Sequence, residues 1–422
     1  MGKLIVEETK RKIDLVIRAI MSCLGYRSSA IPADLTEGTS YARLSLMSTN
    51  LLRTSFYDFH IEHGGKMVDF AGWEMPLLYS SILEEHRHCR TSAGFFDVSH
   101  MGRLRFSGRH ARKFLDSVCT RQIFGMQVGQ CRYGIICNEQ GGCLDDVIIY
   151  CFDESEYLMV CNASNRLKLL AHFAAVKGDM NFKLEDQTES TAMIALQGPK
   201  AMEIVGALSR EIPTLKRYRF VQKSLIVVKL IVSRTGYTGE DGVEVILGSS
   251  MARAAMGMFL KDVKSGQSPI RPIGLAARDT LRMEAGMPLY GHEIDENTDP
   301  LSAGLGFAVK VDKGSDDEKI GRFIGQSALE KIAKDGCPRK LVGLGLEGRR
   351  SARQGMEVRQ GSKVVGRVTS GCLSPTFDRP IAMAFVDANL IEVGTNLEVD
   401  IRGTAVGAVV EPLPFLRAVA KV

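Results

Sequence analysis

From Leu341 onward the chain reads as strands and little else. KLVGLGLEG, MEVRQGSKVVGRVTSG, RPIAMAFVD and NLEVDIRGTAVGAVVE follow one another, with a strand about every ten residues and glycines between the apolar runs. Strand edges left open template aggregation, so a set of short strands must pair its edges or cover them. The pattern predicts a small β-barrel or sandwich over residues 341–418.

The preceding chain has a different rhythm. RLRFSG, RYGIIC, DDVIIYCF, EYLMVC, TAMIALQGP, SLIVVKLIVSR and VEVIL read as strands. SILEEHRHCRTSAG reads as a helix with Gly94 near its end, and ASNRLKLLAHFAAVKG as a helix followed by Gly178. SSMARAAMGMFLKDVKS and the run from Ile273 to Ala285, stopped by Gly286, complete the helices. Strands and helices do not alternate regularly, which predicts an α+β fold with antiparallel sheets. The expected organisation is an N-terminal extension over 1–48, two α+β subdomains over 49–315, a connector with a short helix over 316–340, and the barrel. Met47 opens a stretch that itself resembles a natural start, so residues 1–46 read as an appended extension or an upstream start.

Composition excludes several classes. The chain is 45% hydrophobic and 24% charged, an ordinary globular balance. A net charge of +5 without a Lys/Arg run does not describe a nucleic-acid binder. Its slight basicity suits an acidic partner. None of the 10 cysteines forms a CxxC pair, and the spacing of Cys131, Cys137 and Cys143 matches no metal site. They read as buried thiols in a reducing compartment, and no metal is expected. No apolar stretch reaches the length of a membrane span. There is no secretory signal, and Glu7, Glu8 and Asp14 argue against a transit peptide, which favours the cytoplasm over the mitochondrial matrix.

Four stretches carry candidate chemistry. In NEQGGCLDDVIIY a Gly-Gly turn runs into an apolar strand with two aspartates at the join. Strand side chains alternate, so Leu144, Asp146, Ile148 and Tyr150 share one face, and Asp145, Val147 and Ile149 the other. Both faces are apolar further along. At least one carboxylate therefore meets a buried or cleft surface, which is costly unless it is paired. RTGYTGEDGVEV reads either as a plain hairpin loop or as a ligand loop, since it lacks the Walker lysine and any GxGxxG. Glu244 stands where its loop meets an apolar strand, and its carboxylate would complement a ligand edge with two adjacent donors, such as a guanidinium or a 2-amino-4-oxo pterin. Arg278 and Arg282 are four apart on a helix face, which calls for an anionic neighbour, either an internal carboxylate or a ligand. His100 in FDVSHMG reads as structural on its own. His86 and His88 point to different helix faces, which argues against a metal.

Together these segments resemble one family, the aminomethyltransferase or T-protein of the glycine cleavage system. YDFHIEHGGKMVDFAGWEMP, FDVSHMG, NEQGGCLDDVIIY, ALQGP, RTGYTGEDGVEV, GLAARDTLRMEAGMPLYGHEIDE and GRVTSGCLSPTFDRPIAMAFV carry the likeness from about residue 53 to residue 416. The resemblance implies three domains in a cloverleaf around a folate pocket. It implies transfer of the one-carbon unit from an aminomethyl group on the lipoyl arm of the H-protein to tetrahydrofolate, with loss of ammonia. Asp146 matches the family's catalytic aspartate, leaving Asp145 as the outward or structural member of the pair. Glu244 matches a pterin-binding glutamate and Arg278 a folate-binding arginine. Tyr237, Tyr133, Asn162 and Met101 match positions that line the pocket. The tyrosine-containing tail of some family members has no counterpart in PLPFLRAVAKV. Folate-dependent demethylases share the fold, but here there is no Rossmann fingerprint and LDD is intact. Folate-binding proteins of iron–sulfur assembly carry a cysteine motif where this chain reads GRFIGQSALE.

Overall fold

The computed structural model describes residues 51–225, 228–259, 268–315 and 320–416, so the N-terminal extension expected over 1–48 lies outside the described residues. Two sheets face each other at the centre. One has six strands, ordered Phe220–Leu225, Val228–Ser233, Gly242–Gly248, Thr191–Gln197, Ala93–Asp97 and Ile270–Pro272. The other has five, ordered Cys131–Cys137, Cys143–Cys151, Glu156–Cys161, Gly102–Ser107 and Lys183–Asp186. Pairing is antiparallel except where Ile270–Pro272 runs parallel to Ala93–Asp97. A small sheet, Leu52–Arg53, Trp73–Leu78 and Lys66–Phe70, lies beside them and has one parallel pair.

The strand Cys143–Cys151 shows why the layers form. Val147, Ile149 and Cys151 pack with Phe114, Leu169 and Phe173 of the covering helices Ala111–Val118 and Arg166–Val176. Ile148 and Tyr150, on the opposite face, meet Phe96, Met193 and Ile246 of the six-stranded sheet. Leu144 departs from the predicted alternation and joins the Val147 side. Its partner strand skips from Asp145 to Cys143 across the Ile136/Cys137 irregularity, which leaves Leu144 out of register.

The C-terminal strands close into a six-stranded barrel, ordered Arg339–Leu346, Arg379–Asp387, Lys363–Ser374, Glu357–Gln360, Asn396–Ile401 and Thr404–Glu411. Its interior holds Leu344, Val358, Ala382, Ala384 and Val399. The stretch before it carries the helix Gln326–Asp335, whose buried Leu329 packs against the Cys137–Cys143 end of the five-stranded sheet.

Two local expectations change. Gly94 lies in the strand Ala93–Asp97, because the helix already ends at Thr91. A Cβ on Gly94 would come within 2.7 Å of the Ile273 side chain, so the glycine permits close packing rather than a helix stop. SLIVVKLIVSR, expected as a single strand, instead contributes to two paired antiparallel strands, Phe220–Leu225 and Val228–Ser233, in register from Phe220↔Ser233 to Leu225↔Val228. Among the described residues no helix is long and apolar enough to cross a membrane.

Candidate active site

A cavity of about 1190 Å³ opens where the two central sheets, the small sheet and the barrel converge. Asp146, Glu244, Arg278, Tyr237, Tyr133, Asn162 and Met101 all line it.

Asp146 comes from the strand Cys143–Cys151 and faces the cavity beside Tyr133 and Ile148. The Gly-Gly turn before it is held from both sides. Asn138 Oδ1 accepts from the backbone N–H of Gly142 at 2.9 Å, and Cys143 N–H donates to Asp295 O at 2.9 Å. A Cβ on Gly142 would strike Glu296 O at 1.9 Å, so only glycine lets this turn dock. Asp145 is fully buried, which excludes the outward alternative and leaves the structural one. It lies at the start of the helical segment from Ala163, where its carboxylate accepts from Asn162 N at 3.0 Å, Asn162 Nδ2 at 2.8 Å and Asn165 Nδ2 at 2.6 Å. A carboxylate is favoured at a helix N-terminus. Asn162 Nδ2 also donates to Asp146 Oδ1 at 2.7 Å, and Tyr133 donates its hydroxyl to Asp146 Oδ2 at 3.1 Å.

One amide thus bridges two carboxyl groups. Burial, and then the charge of Asp146, push Asp145 up to about 8 against the pull of its Asn donors. Burial also raises Asp146, opposed by Asn162 and Tyr133. Two carboxyl groups this close titrate as a unit.

Glu244 lies within the strand Gly242–Gly248, more deeply placed than the strand-edge position expected from sequence. It is buried and accepts from Thr235 Oγ1 at 2.5 Å, and burial raises its carboxyl. The Gly-rich loop that precedes it is organised by the buried amide of Gln197, which donates to Thr235 O at 3.1 Å and accepts from Thr238 Oγ1 at 3.2 Å. Gln197 occupies the space a side chain at 236 would need, since a Cβ there would lie 1.8 Å from its Oε1. This loop is a hairpin connection that also delivers Tyr237 to the cavity. The Tyr237 hydroxyl donates to Pro288 O.

The arginine pair divides its roles. Arg282 is bound internally, by Asp279 and Glu293 at 2.8 Å each and Ser370 Oγ at 2.9 Å. Arg278 lies with its guanidinium 4.7 Å from the centre of the Tyr237 ring, and its buried Nη1 has no hydrogen-bond partner. Burial lowers it, partly offset by the charge of Glu244. A buried donor without a partner costs about 1–3 kcal/mol, more for a charged group. Arg278 is therefore the cation available to a ligand, and Arg282 is the internal salt bridge. Met101 and Phe70 add apolar surface to the same cavity wall, with Met101 half-buried in the packing between the two central sheets.

Several lining residues escaped sequence reading. The Ala71–Gly72 turn of the small sheet borders the cavity, with both residues at positive φ (53° and 81°) as a tight two-residue hairpin requires. Its signal was the DFAGW stretch, which carried family likeness but no assigned role. Leu167, Phe307 and Val393 stand at the mouth, each more than half exposed. They come from three distant segments, and no local pattern could join them. Among the described residues, no group of three or more His, Cys, Asp or Glu side chains is placed to hold a metal ion.

A model of the GCVT N-terminal domain matches residues 56–313, and one of the glycine cleavage T-protein C-terminal barrel domain matches residues 339–416. The chain belongs to the glycine cleavage T-protein family. An aminomethyltransferase from Rubrobacter xylanophilus is 45% identical over 368 residues, covering 87% of this chain and 95% of its own. One from Symbiobacterium thermophilum is 42% identical over 379 residues, covering 88% and 99%. The crystal structure of the glycine cleavage system aminomethyltransferase T from Bartonella henselae superposes with a TM-score of 0.78 at 32% identity, over 87% of this chain and 98% of that one. Membership in the T-protein family carries the aminomethyltransferase function. It makes the chain a transferase that acts with other components of the glycine cleavage system, and it implies use of a folate.

Proposed function

We propose that this T-protein family member transfers the aminomethyl carbon from the lipoyl arm of the H-protein to tetrahydrofolate. The observation that carries the reading is the meeting of Asp146, Glu244 and the unpartnered Arg278 in one cavity. Glu244 accepts the paired N–H groups of the pterin edge, and Arg278 donates to a neighbouring acceptor on the ligand. Tyr237, Tyr133, Asn162 and Met101 complete the wall around the ring.

The chemistry balances without a redox change. The carbon loses its bonds to the amino nitrogen and to sulfur, and gains bonds to folate N5 and N10. The two protons released by those nitrogens leave with ammonia and with the dihydrolipoyl thiol. The products are ammonia, 5,10-methylenetetrahydrofolate and dihydrolipoyl H-protein. Positive charge develops on the carbon as ammonia departs, and a preorganised carboxylate at Asp146 stabilises it and orients the attacking nitrogen.

The exposed apolar residues Leu167, Phe307 and Val393 at the mouth support docking of a macromolecular donor there. The bacterial origin of the relatives supports a cytoplasmic setting. The test is to mix the chain with aminomethyl-loaded H-protein, with and without tetrahydrofolate, and to follow ammonia. Ammonia and methylenetetrahydrofolate rising together only when folate is present is the expected result. Folate binding without turnover would refute the proposal.

A further inference from the structure

Two fully buried histidines among the described residues have both ring nitrogens paired. His60 holds Asp97 at 2.9 Å through Nε2 and Tyr79 at 2.7 Å through Nδ1. His86 holds Thr280 at 2.8 Å and Thr376 at 3.0 Å. His100 does not follow them. It is 2% exposed, its ring meets the edge of Phe70 at 5.3 Å, and its Nδ1 has no hydrogen-bond partner. Among the described buried side-chain atoms without a partner, His100 Nδ1 and Arg278 Nη1 are the two that belong to cavity-lining residues.

We propose that His100 is a ligand-binding residue whose imidazole hydrogen-bonds a polar atom of the bicyclic ring of the bound folate, beside the Arg278 contact. The inference rests on the folate reading above and adds a contact to it. Native structures seldom leave a buried polar atom unpaired unless something absent from the free chain pairs it. Arg278 and His100 each carry such an atom, and both residues line one cavity, so a single ligand seated there lies against both side chains. The imidazole suits a neutral ring edge. Burial, reinforced by Arg278 and Arg103 against the attraction of Asp97, holds His100 down at about 3 and keeps it uncharged. A neutral imidazole offers one N–H and one lone pair, so it recognises direction rather than charge. FDVSHMG thus places two adjacent residues on the cavity, Met101 as apolar wall and His100 as polar contact.

The test titrates tetrahydrofolate into the full chain and into His100→Phe, His100→Leu and His100→Asn. The readout is the fluorescence of Trp73, the one tryptophan, which packs with the cavity-lining Phe70 and Leu275. Affinity should fall about tenfold or more (~1.4 kcal/mol) in the Phe and Leu variants, and recover in part in His100→Asn, whose amide restores a polar atom. The same loss should appear with 6-methyltetrahydropterin, which has the ring without the benzoylglutamate tail. Wild-type affinity in a folded His100→Phe or His100→Leu would overturn the proposal. So would losses that follow the unfolding midpoint in all three variants, which would make His100 a packing residue. Wild-type protein that binds no tetrahydrofolate would overturn the folate reading itself, a failure distinct from that of His100.

Discussion

Replacing Asn162 by Ala removes the amide that joins Asp145 to Asp146. Nδ2 donates to Asp145 Oδ1 at 2.8 Å and to Asp146 Oδ1 at 2.7 Å, and both bonds disappear. Asp145 keeps the backbone N–H of residue 162 and Asn165 Nδ2, while Asp146 keeps Tyr133. With Asp145 held up at about 8 and so mostly protonated near neutrality, one ordinary bond of roughly 0.5–1.5 kcal/mol and one to a charged group of roughly 1.5–3 kcal/mol give roughly 2–4.5 kcal/mol for the two. Asp146 opens to the cavity and water can replace part of its share, so the net loss of stability should be roughly 2–3 kcal/mol. The same donors oppose the burial that raises both carboxyls, so their removal raises them further. A group whose ionised form is required loses activity as pH falls through its pKa, and the acid limb of the rate profile should therefore move to higher pH. Urea unfolding and a pH profile of folate-dependent ammonia release measure both effects. An unfolding free energy within about 0.5 kcal/mol of wild type, together with an unmoved acid limb, would refute the bridging role.

Arg278→Met removes a buried cation with no hydrogen-bond partner at Nη1, so stability should hold or rise, by up to about 1–3 kcal/mol, while folate affinity falls more than about tenfold. Unchanged binding by titration would contradict this. Arg282→Met should behave in the opposite way, destabilising by roughly 3 kcal/mol or more because buried Glu293 loses its partner; an unfolding midpoint equal to wild type would sink the assignment. Glu284 supplies an acid-sensitive contribution. Burial raises its carboxyl, but the hydrogen bond and charge of His86, with Ser374 and Thr376, outweigh this and hold it at about 2. Its folded pKa lies below the ordinary value of about 4.3, so this stability is present above that pH and is lost as pH falls toward about 2. Glu284→Gln should be less stable near neutrality and show a smaller further loss on acidification; equal acid sensitivity in both proteins would remove Glu284 from the account.

The readable parts of this molecule were those fixed by local chemistry. Strand alternation placed Ile148 and Tyr150 opposite Val147 and Ile149, and the late strand spacing called for a barrel or a sandwich, of which the fold forms the closed barrel. The seven residues carried by family likeness meet in one cavity because each stands on a strand, helix or loop that the fold turns inward. Helix spacing alone could not divide Arg278 from Arg282, because Glu293 and Ser370 reach Arg282 from later segments. Nor could it bury Asp145, whose donors Asn162 and Asn165 lie on the next strand–helix junction. The apolar mouth depended on the same kind of distant meeting, between Leu167, Phe307 and Val393. His100 looked structural as an isolated histidine, and only its unpaired ring atom distinguishes it from His60 and His86.

The most direct test of the central claim is single-turnover aminomethyl transfer by Asp146→Asn, run beside wild type with loaded H-protein and tetrahydrofolate, with folate binding measured on the same samples. The account predicts that ammonia and methylenetetrahydrofolate collapse together in the variant while it stays folded and still binds folate. Transfer at the wild-type rate by Asp146→Asn would contradict it.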